Sequence, residues 1–154
     1  MADPVIDKIV AHLARVAAGA VPEIARVAGK VFIADTLAVG IAGAGAPWRQ
    51  EVLDMAGASG GAAEATVWGS GERLPLDQAA MVNAYQVHSQ EYDCVHEGAV
   101  VHAMSAILPS LVGWAEREGN VSGESLLRAV IAGVDVAVTL GLCSRAPMRF
   151  FRPA

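Results

Sequence analysis

Residues 122–141 read Ser-Gly-Glu-Ser-Leu-Leu-Arg-Ala-Val-Ile-Ala-Gly-Val-Asp-Val-Ala-Val-Thr-Leu-Gly, and this stretch decides the fold class. Its large apolar side chains recur at the three- and four-residue spacing that places them on one face of an α-helix. They are Leu126, Leu127, Val130, Ile131, Val134 and Val138. Ser122 is a favoured N-cap, and Glu124 places a negative charge in the first turn, where the helix dipole is positive. The pattern predicts a long helix that ends near Gly141.

The same apolar spacing and the same start and stop signals predict helices in the rest of the chain. They cover 4–18, 22–42, 48–55, the stretch from 76 to the polar segment at 88, and 103–118. The glycine-rich segment 57–75 predicts a loop with a brief strand at 65–68. Pro109 is expected to kink the fifth helix or to lie near its first turn. The sequence therefore predicts an all-α, bundle-like array of about six helices joined by short loops.

Composition narrows the class of protein. The 154 residues are 54% hydrophobic and 18% charged, which fits one folded domain with a substantial core. The net charge of −5, without a cluster of Lys or Arg, argues against nucleic-acid binding. The two most apolar stretches, 33–46 and 126–142, contain charged residues, and one charge at the centre of a spanning helix costs roughly 2.5–3.5 kcal/mol. Both are therefore interpreted as buried helices, with no membrane association.

The location of the protein is predicted from two further features. The first residues have an early acid and no basic segment before an apolar run, so no signal peptide is recognised. Cys94 and Cys143, the only cysteines, are far apart and are interpreted as reduced thiols. The sequence predicts a cytoplasmic protein.

A polar segment between the fourth and fifth predicted helices concentrates the residues capable of chemistry. It reads His88-Ser-Gln-Glu-Tyr-Asp-Cys-Val-His-Glu-Gly-Ala-Val-Val-His102 and holds three of the four histidines with three carboxylates. Histidine exchanges protons near neutral pH, and a neighbouring carboxylate fixes its tautomer. The mixture suits proton abstraction next to a carboxylate, or elimination of water. Two alternatives stay open: a solvated loop, and a metal site built from His and carboxylate ligands, although no recognised metal signature is present.

The same segment resembles the MmgE/PrpD family. That family carries Asn-Gly-x-x-x-His-x-x-Asp-Phe-Asp-Asp, a short spacer, and a His before a run such as Ala-x-Leu-Pro. This chain has Asn83, His88, Glu91-Tyr-Asp-Cys94, His102 and then Ala106-Ile-Leu-Pro109. The segment 35–43 resembles the family's early Asp-Thr-Leu-Gly, and 122–133 resembles its Gly-x-x-Leu-Leu-x-Ala-x-x-x-Gly helix. The resemblance spans nearly the whole chain.

The resemblance implies that residues 1–154 are the amino-terminal portion of the family's all-helical domain, without its second domain. It implies dehydratase, decarboxylase or epimerase activity on small polycarboxylates, with no required cofactor. Cys94 replaces the third acid of the motif, and Val95 stands where the cis-aconitate decarboxylase branch has a threonine. These departures argue against 2-methylcitrate or cis-aconitate as substrates and favour a divergent branch, such as one near iminodisuccinate epimerase. The family's downstream lysines and further histidines are absent, so no unaided turnover is expected if the 154 residues act alone.

The resemblance also implies roles for individual residues. Three are predicted to be catalytic: His102 as general acid/base, with Glu91 and Asp93 orienting it or handling a second proton. Four are predicted to bind substrate: His88, His96, Asn83 and Arg152. No metal ligand is assigned. The expected partners are a small polycarboxylate and either a second copy of the chain, as in a homodimer, or a downstream segment. The alternatives are a non-catalytic helical module of a split or truncated enzyme and a metal-binding helical protein.

Overall fold

The computed structural model describes residues 4–143, which form six α-helices and confirm the predicted all-α class. The helices are α1 Pro4–Ala17, α2 Glu23–Ala42, α3 Arg49–Ala58, α4 Leu76–His88, α5 Ala103–Glu118 and α6 Gly123–Leu142. A single 3₁₀ turn, Gly43–Gly45, follows α2. The predicted helices all form, with ends that move by only a few residues.

The ends of the last two helices follow their local signals. The hydroxyl of Ser122 accepts a hydrogen bond from the backbone N–H of Ser125, which caps α6 as predicted. Gly119 ends α5 in the left-handed conformation, at φ +73°. Pro109 lies inside α5 and is buried, past the first turn.

The glycine-rich loop contains a two-stranded antiparallel ribbon. β1, Ala65–Thr66, falls within the predicted brief strand, and β2, Arg73–Leu74, was not predicted. Gly69 and Gly71 have positive φ values and allow the chain to turn between the strands. The ribbon packs against α4 and α5, so this loop belongs to the core.

Helix α4 is central and packs against α2, α3 and α5, while α6 packs on α5, α1 and α2. One buried cluster joins α3, α4 and β1: Leu53, Ala56, Ala65, Val67, Ala79 and Val82. A second lies between α4, α5 and α6: Trp68, Val87, Met104, Leu108 and Val130. The α4–α5 pair is the most extensive contact and leads directly to the polar segment that joins these two helices.

Two helical segments are long and apolar enough to cross a membrane, Glu23–Gly45 and Gly123–Leu142, a criterion that core helices of soluble proteins also meet. Within the described residues, only 22% of the 18-residue apolar stretch in the first segment is buried, and only 11% of the corresponding stretch in the second. The predicted burial of these helices therefore holds only for their inward faces. Ile24, Val27 and Val31 leave an apolar stripe of α2 exposed. That no membrane is involved stays a prediction.

Candidate active site

The polar segment leaves the end of α4 and folds back to the start of α5, and this path brings two histidines together. His88 is the last residue of α4, and His102 is the residue immediately before α5. Between them the backbone takes left-handed conformations at Glu91, φ +56°, and Val100, φ +48°. The backbone N–H of His96 donates to the carbonyl of Val101 at 3.0 Å, and this bond holds the two ends of the loop 96–101 together. Such conformations are costly for residues other than glycine and often occur at functional sites.

Asp93 is the centre of the site. Its side chain is 0% exposed, and its oxygens lie 3.1 and 3.2 Å from Nδ1 of His88. Its Oδ2 also lies 3.1 Å from Nδ1 of His102. The two imidazole rings meet edge to face, with centroids 4.8 Å apart and planes at 66°. Two ring N–H groups thus compensate a carboxylate whose burial would otherwise be expensive.

This arrangement determines which nitrogen of each ring is available for chemistry. An ionised Asp93 only accepts hydrogen bonds, so we assign the proton of each ring to Nδ1. In the neutral ring the lone pair is then on Nε2. Within residues 4–143, Nε2 of His102 has no hydrogen-bond partner, and the side chains of His88 and His102 are 39% and 21% exposed. The cluster therefore presents two basic nitrogens toward solvent.

Glu91 lies at the outer edge of the cluster. Its Oε1 is 3.7 Å from Nε2 of His88, and its side chain is 74% exposed. One ligand atom from each of His88, Glu91 and His102 lies within 4.8 Å of the other two. The structure thus brings together four of the seven predicted site residues: Glu91, Asp93, His88 and His102.

Of the other three predicted site residues, the two that the structure describes lie outside this cluster. Asn83 is buried in α4, where Oδ1 accepts from the N–H of Trp68 at 2.8 Å and Nδ2 donates to the carbonyl of Thr66 at 2.9 Å. His96 is exposed, and its Nδ1 accepts from the N–H of Ala99 at 3.0 Å. Arg152 is outside the described residues. Substrate contacts by these three residues stay predictions.

An apolar cavity of about 130 Å³ is lined in part by the polar segment 88–102. Cys94, Phe32, His96 and Met104 are among the residues that line it. Burial raises the pKa of the Cys94 thiol, and the neighbouring carboxylates of Asp35 and Asp93 raise it further. The thiol therefore stays protonated at neutral pH and is a poor nucleophile.

Gln86, which the sequence motifs did not single out, supports the end of α4. Its side chain is fully buried; Nε2 donates to the carbonyls of Gly40 and Trp68, each at 3.0 Å, and Oε1 accepts from Nε of Arg49 at 3.1 Å. These bonds tie α4 to α2 just before His88. The available signal was the pair Asn83 and Gln86, two polar residues three apart on an otherwise apolar helix face.

Comparison with known proteins identifies the relatives of this chain. The sequence model of the MmgE/PrpD N-terminal domain matches residues 7–151. Cis-aconitate decarboxylase of Mus musculus is 33% identical over 133 residues, which are 81% of this chain and 27% of that protein. The cis-aconitate decarboxylase-like protein oryM of Aspergillus oryzae is 27% identical over 118 residues, 73% of this chain and 24% of that protein.

Cis-aconitate decarboxylase of Homo sapiens is 40% identical over a shorter stretch of 75 residues, 46% of this chain and 15% of that protein. The chain therefore spans about a quarter or less of the length of the curated relatives it matches. No solved structure matches the chain.

Proposed function

The chain belongs to the MmgE/PrpD family, and from this premise we propose that it supplies the acid–base centre of a cytoplasmic lyase or isomerase. The substrate is a small polycarboxylate, and the common element is proton transfer to or from a carbon atom next to a carboxylate. Dehydration removes that proton and expels hydroxide as water, epimerisation removes it and returns a proton on the opposite face, and decarboxylation releases CO₂ and protonates the carbanion that remains. One observation carries the proposal: buried Asp93 bonds Nδ1 of both His88 and His102, which leaves Nε2 of each ring for proton transfer.

We assign the general base to His102. Its Nε2 takes the proton from carbon, and the charge of Asp93, 3.1 Å from Nδ1, stabilises the imidazolium that forms. Asp93 itself is fully buried, so it acts as a positioning residue and does not exchange protons with substrate.

His88 is suited to act as the general acid. Its Nδ1 lies 3.1 Å from the same buried carboxylate of Asp93, and its Nε2 lies 3.7 Å from the exposed carboxylate of Glu91. His88 can then return a proton to the carbanion or to a departing hydroxide, which leaves as water.

Binding of a polyanion needs positive charge from outside this cluster. Among residues 4–143, the ion pairs of Glu91 and Asp93 are with histidines alone. We propose that cations for the substrate carboxylates come from Arg152, from a further segment of the protein or from a second copy.

The polar segment bears on which class of polycarboxylate we propose. Two of the relatives are named cis-aconitate decarboxylases, so decarboxylation of a tricarboxylate is one candidate. The sequence Glu91-Tyr-Asp-Cys94 followed by Val95 departs from the motif of that branch. We therefore favour a different small polycarboxylate and an elimination or epimerisation.

The test is His102→Asn in the enzyme as the cell makes it. The asparagine amide nitrogen can replace Nδ1 as donor to Asp93, while Nε2 is removed. We expect kcat to fall by about 10²–10⁴, the usual contribution of a general acid/base, with a smaller change in KM.

The matched control is His12→Gln, which alters a histidine of α1 outside the predicted site and keeps an amide donor for Asp135, and it should retain nearly full kcat. A His102→Asn enzyme that folds and turns over at the wild-type rate would contradict the assignment.

A further inference from the structure

The solvent-facing side of the cluster has the composition of a metal site. Two imidazoles and one carboxylate, from His88, His102 and Glu91, place one ligand atom each within 4.8 Å of the others. We propose that these three side chains bind one divalent transition-metal ion of the Zn²⁺ class, through Nε2 of each histidine and a carboxylate oxygen. Two nitrogen ligands with one oxygen suit Zn²⁺, Ni²⁺ or Co²⁺ better than Mg²⁺ or Ca²⁺.

Asp93 is an independent observation in favour of this site. Histidines that bind a metal through one nitrogen commonly donate the other ring N–H to a carboxylate, which orients the ring and raises its basicity. Here one buried carboxylate does this for both rings, at 3.1–3.2 Å. The same bonds direct both Nε2 lone pairs away from Asp93 and leave them free to bind an ion. The negative charge of Asp93 also favours a cation beside it.

The distances require a small adjustment that the site can make. Zn²⁺ holds nitrogen and oxygen ligands at about 2.0–2.2 Å, so neighbouring ligand atoms in a tetrahedral site are about 3.4 Å apart. Glu91 Oε1 and His88 Nε2 are already 3.7 Å apart. The Glu91 side chain is 74% exposed and has room to rotate toward the rings. A water molecule or a substrate carboxylate would complete the coordination.

Occupancy by such an ion has a functional consequence, which rests on the proposed function. The ion would bind the two lone pairs that proton transfer uses. Metal binding and general base catalysis therefore exclude each other, and the ion acts as an inhibitor that a chelator reverses.

Calorimetric titration of the 154-residue chain with ZnCl₂, without substrate, tests the site. We expect one ion per chain, and a loss of affinity of about tenfold or more in His88→Asn and in His102→Asn. Both variants keep an amide donor for Asp93. His96→Asn, which alters a histidine outside the cluster, should bind as the wild type does.

Glu91→Gln gives a second test that does not depend on a buried group, because the side chain is exposed. Affinity should fall by about tenfold, while Glu97→Gln, an exposed acid in the same segment, changes nothing. Co²⁺ titrations should show visible absorption bands in the wild type that disappear in the two cluster histidine variants. Absence of stoichiometric binding, or equal binding by all variants, would overturn the site.

The outcomes separate this proposal from the enzymatic one. Zinc binding that depends on His88 and His102, in an enzyme whose turnover ignores His102→Asn, would support the metal site and refute the base. Failure to bind zinc, together with loss of turnover in His102→Asn, would refute the metal site and support His102 as the base.

Discussion

Asp93→Asn tests the central geometry because it removes a charge while keeping the shape of the side chain. The carboxylate accepts a hydrogen bond from both His88 and His102. In asparagine an NH₂ donor replaces one of the two carboxylate oxygens, so it faces Nδ1–H of His88 at the Oδ1 position or Nδ1–H of His102 at the Oδ2 position. The ring that faces this donor must then present its Nδ1 lone pair to the amide and move its proton to Nε2. We expect one of the two histidines to change tautomer.

The size of the effect follows from the bonds that are lost. A hydrogen bond to a charged group contributes about 1.5–3 kcal/mol and a neutral one about 0.5–1.5 kcal/mol. Two bonds are weakened, and the His88 and His102 side chains are 39% and 21% exposed, which favours the lower end of the range. We expect unfolding free energy to fall by about 2 kcal/mol, and Tm by about 4–8 °C for a chain of this length.

Two measurements on the purified chain check this. Long-range proton–nitrogen NMR spectra of the imidazoles report the tautomer directly, and urea unfolding reports the stability. In the full enzyme kcat should fall by about 10²–10⁴, since the wrong tautomer costs about 10⁴ in serine proteases. Asp54→Asn, an exposed acid on α3, is the control and should alter neither observable. Wild-type rings already protonated at Nε2, or unchanged tautomers in Asp93→Asn, would refute the reasoning.

Three further predictions concern packing, thiol reactivity and pH. Gly43→Ala should lower the free energy of unfolding by about 3 kcal/mol, because its Cβ would overlap the backbone carbonyl oxygen of Gln86 in α4, whereas Gly45→Ala has open space. Thermal unfolding of the two variants tests this difference. Cys94 should react with Ellman's reagent at least about tenfold more slowly than exposed Cys143, because its raised pKa leaves little thiolate; equal rates would contradict this. Arg26 of α2 donates a hydrogen bond to the Glu124 carboxylate and lowers the pKa of Glu124. The ion pair therefore stabilises the fold at pH values above the pKa that Glu124 has in the unfolded chain, and this stabilisation is lost as the pH falls through the lower pKa of the folded state. The difference in Tm between wild type and Glu124→Gln should therefore shrink as the solution is acidified, and a constant difference would show that the ion pair is not its source.

Local signals in the sequence were sufficient for most of the helices. Periodic apolar residues, prolines at first turns and the Ser122 cap act within a few residues, so the sequence alone places α1 to α6 closely. The second strand, Arg73–Leu74, was missed because its pairing with Ala65–Thr66 depends on contacts with α4 and α5. A strand of two residues has no periodicity to detect.

For the site, the sequence supplied the right segment but not the arrangement within it. Spacing in 88–102 predicted a concentration of histidines and carboxylates, and four of the residues do meet. It could not distinguish Asp93, which is buried between two rings, from Glu91, which lies at the surface. It also grouped Asn83 with the site, although the side-chain amide of this residue bonds the backbone around β1.

The sequence by itself determined the helices, the family resemblance and the chemical groups available for proton transfer, because each depends on residue type and short-range spacing. Only the tertiary structure decided which carboxylate is buried, which ring nitrogens remain free and which histidine lies apart. These features depend on how the segment between α4 and α5 folds back, with left-handed backbone conformations at Glu91 and Val100. Desolvation of one carboxylate by packing is a non-local effect, and it is what makes two ordinary histidines a candidate acid–base pair.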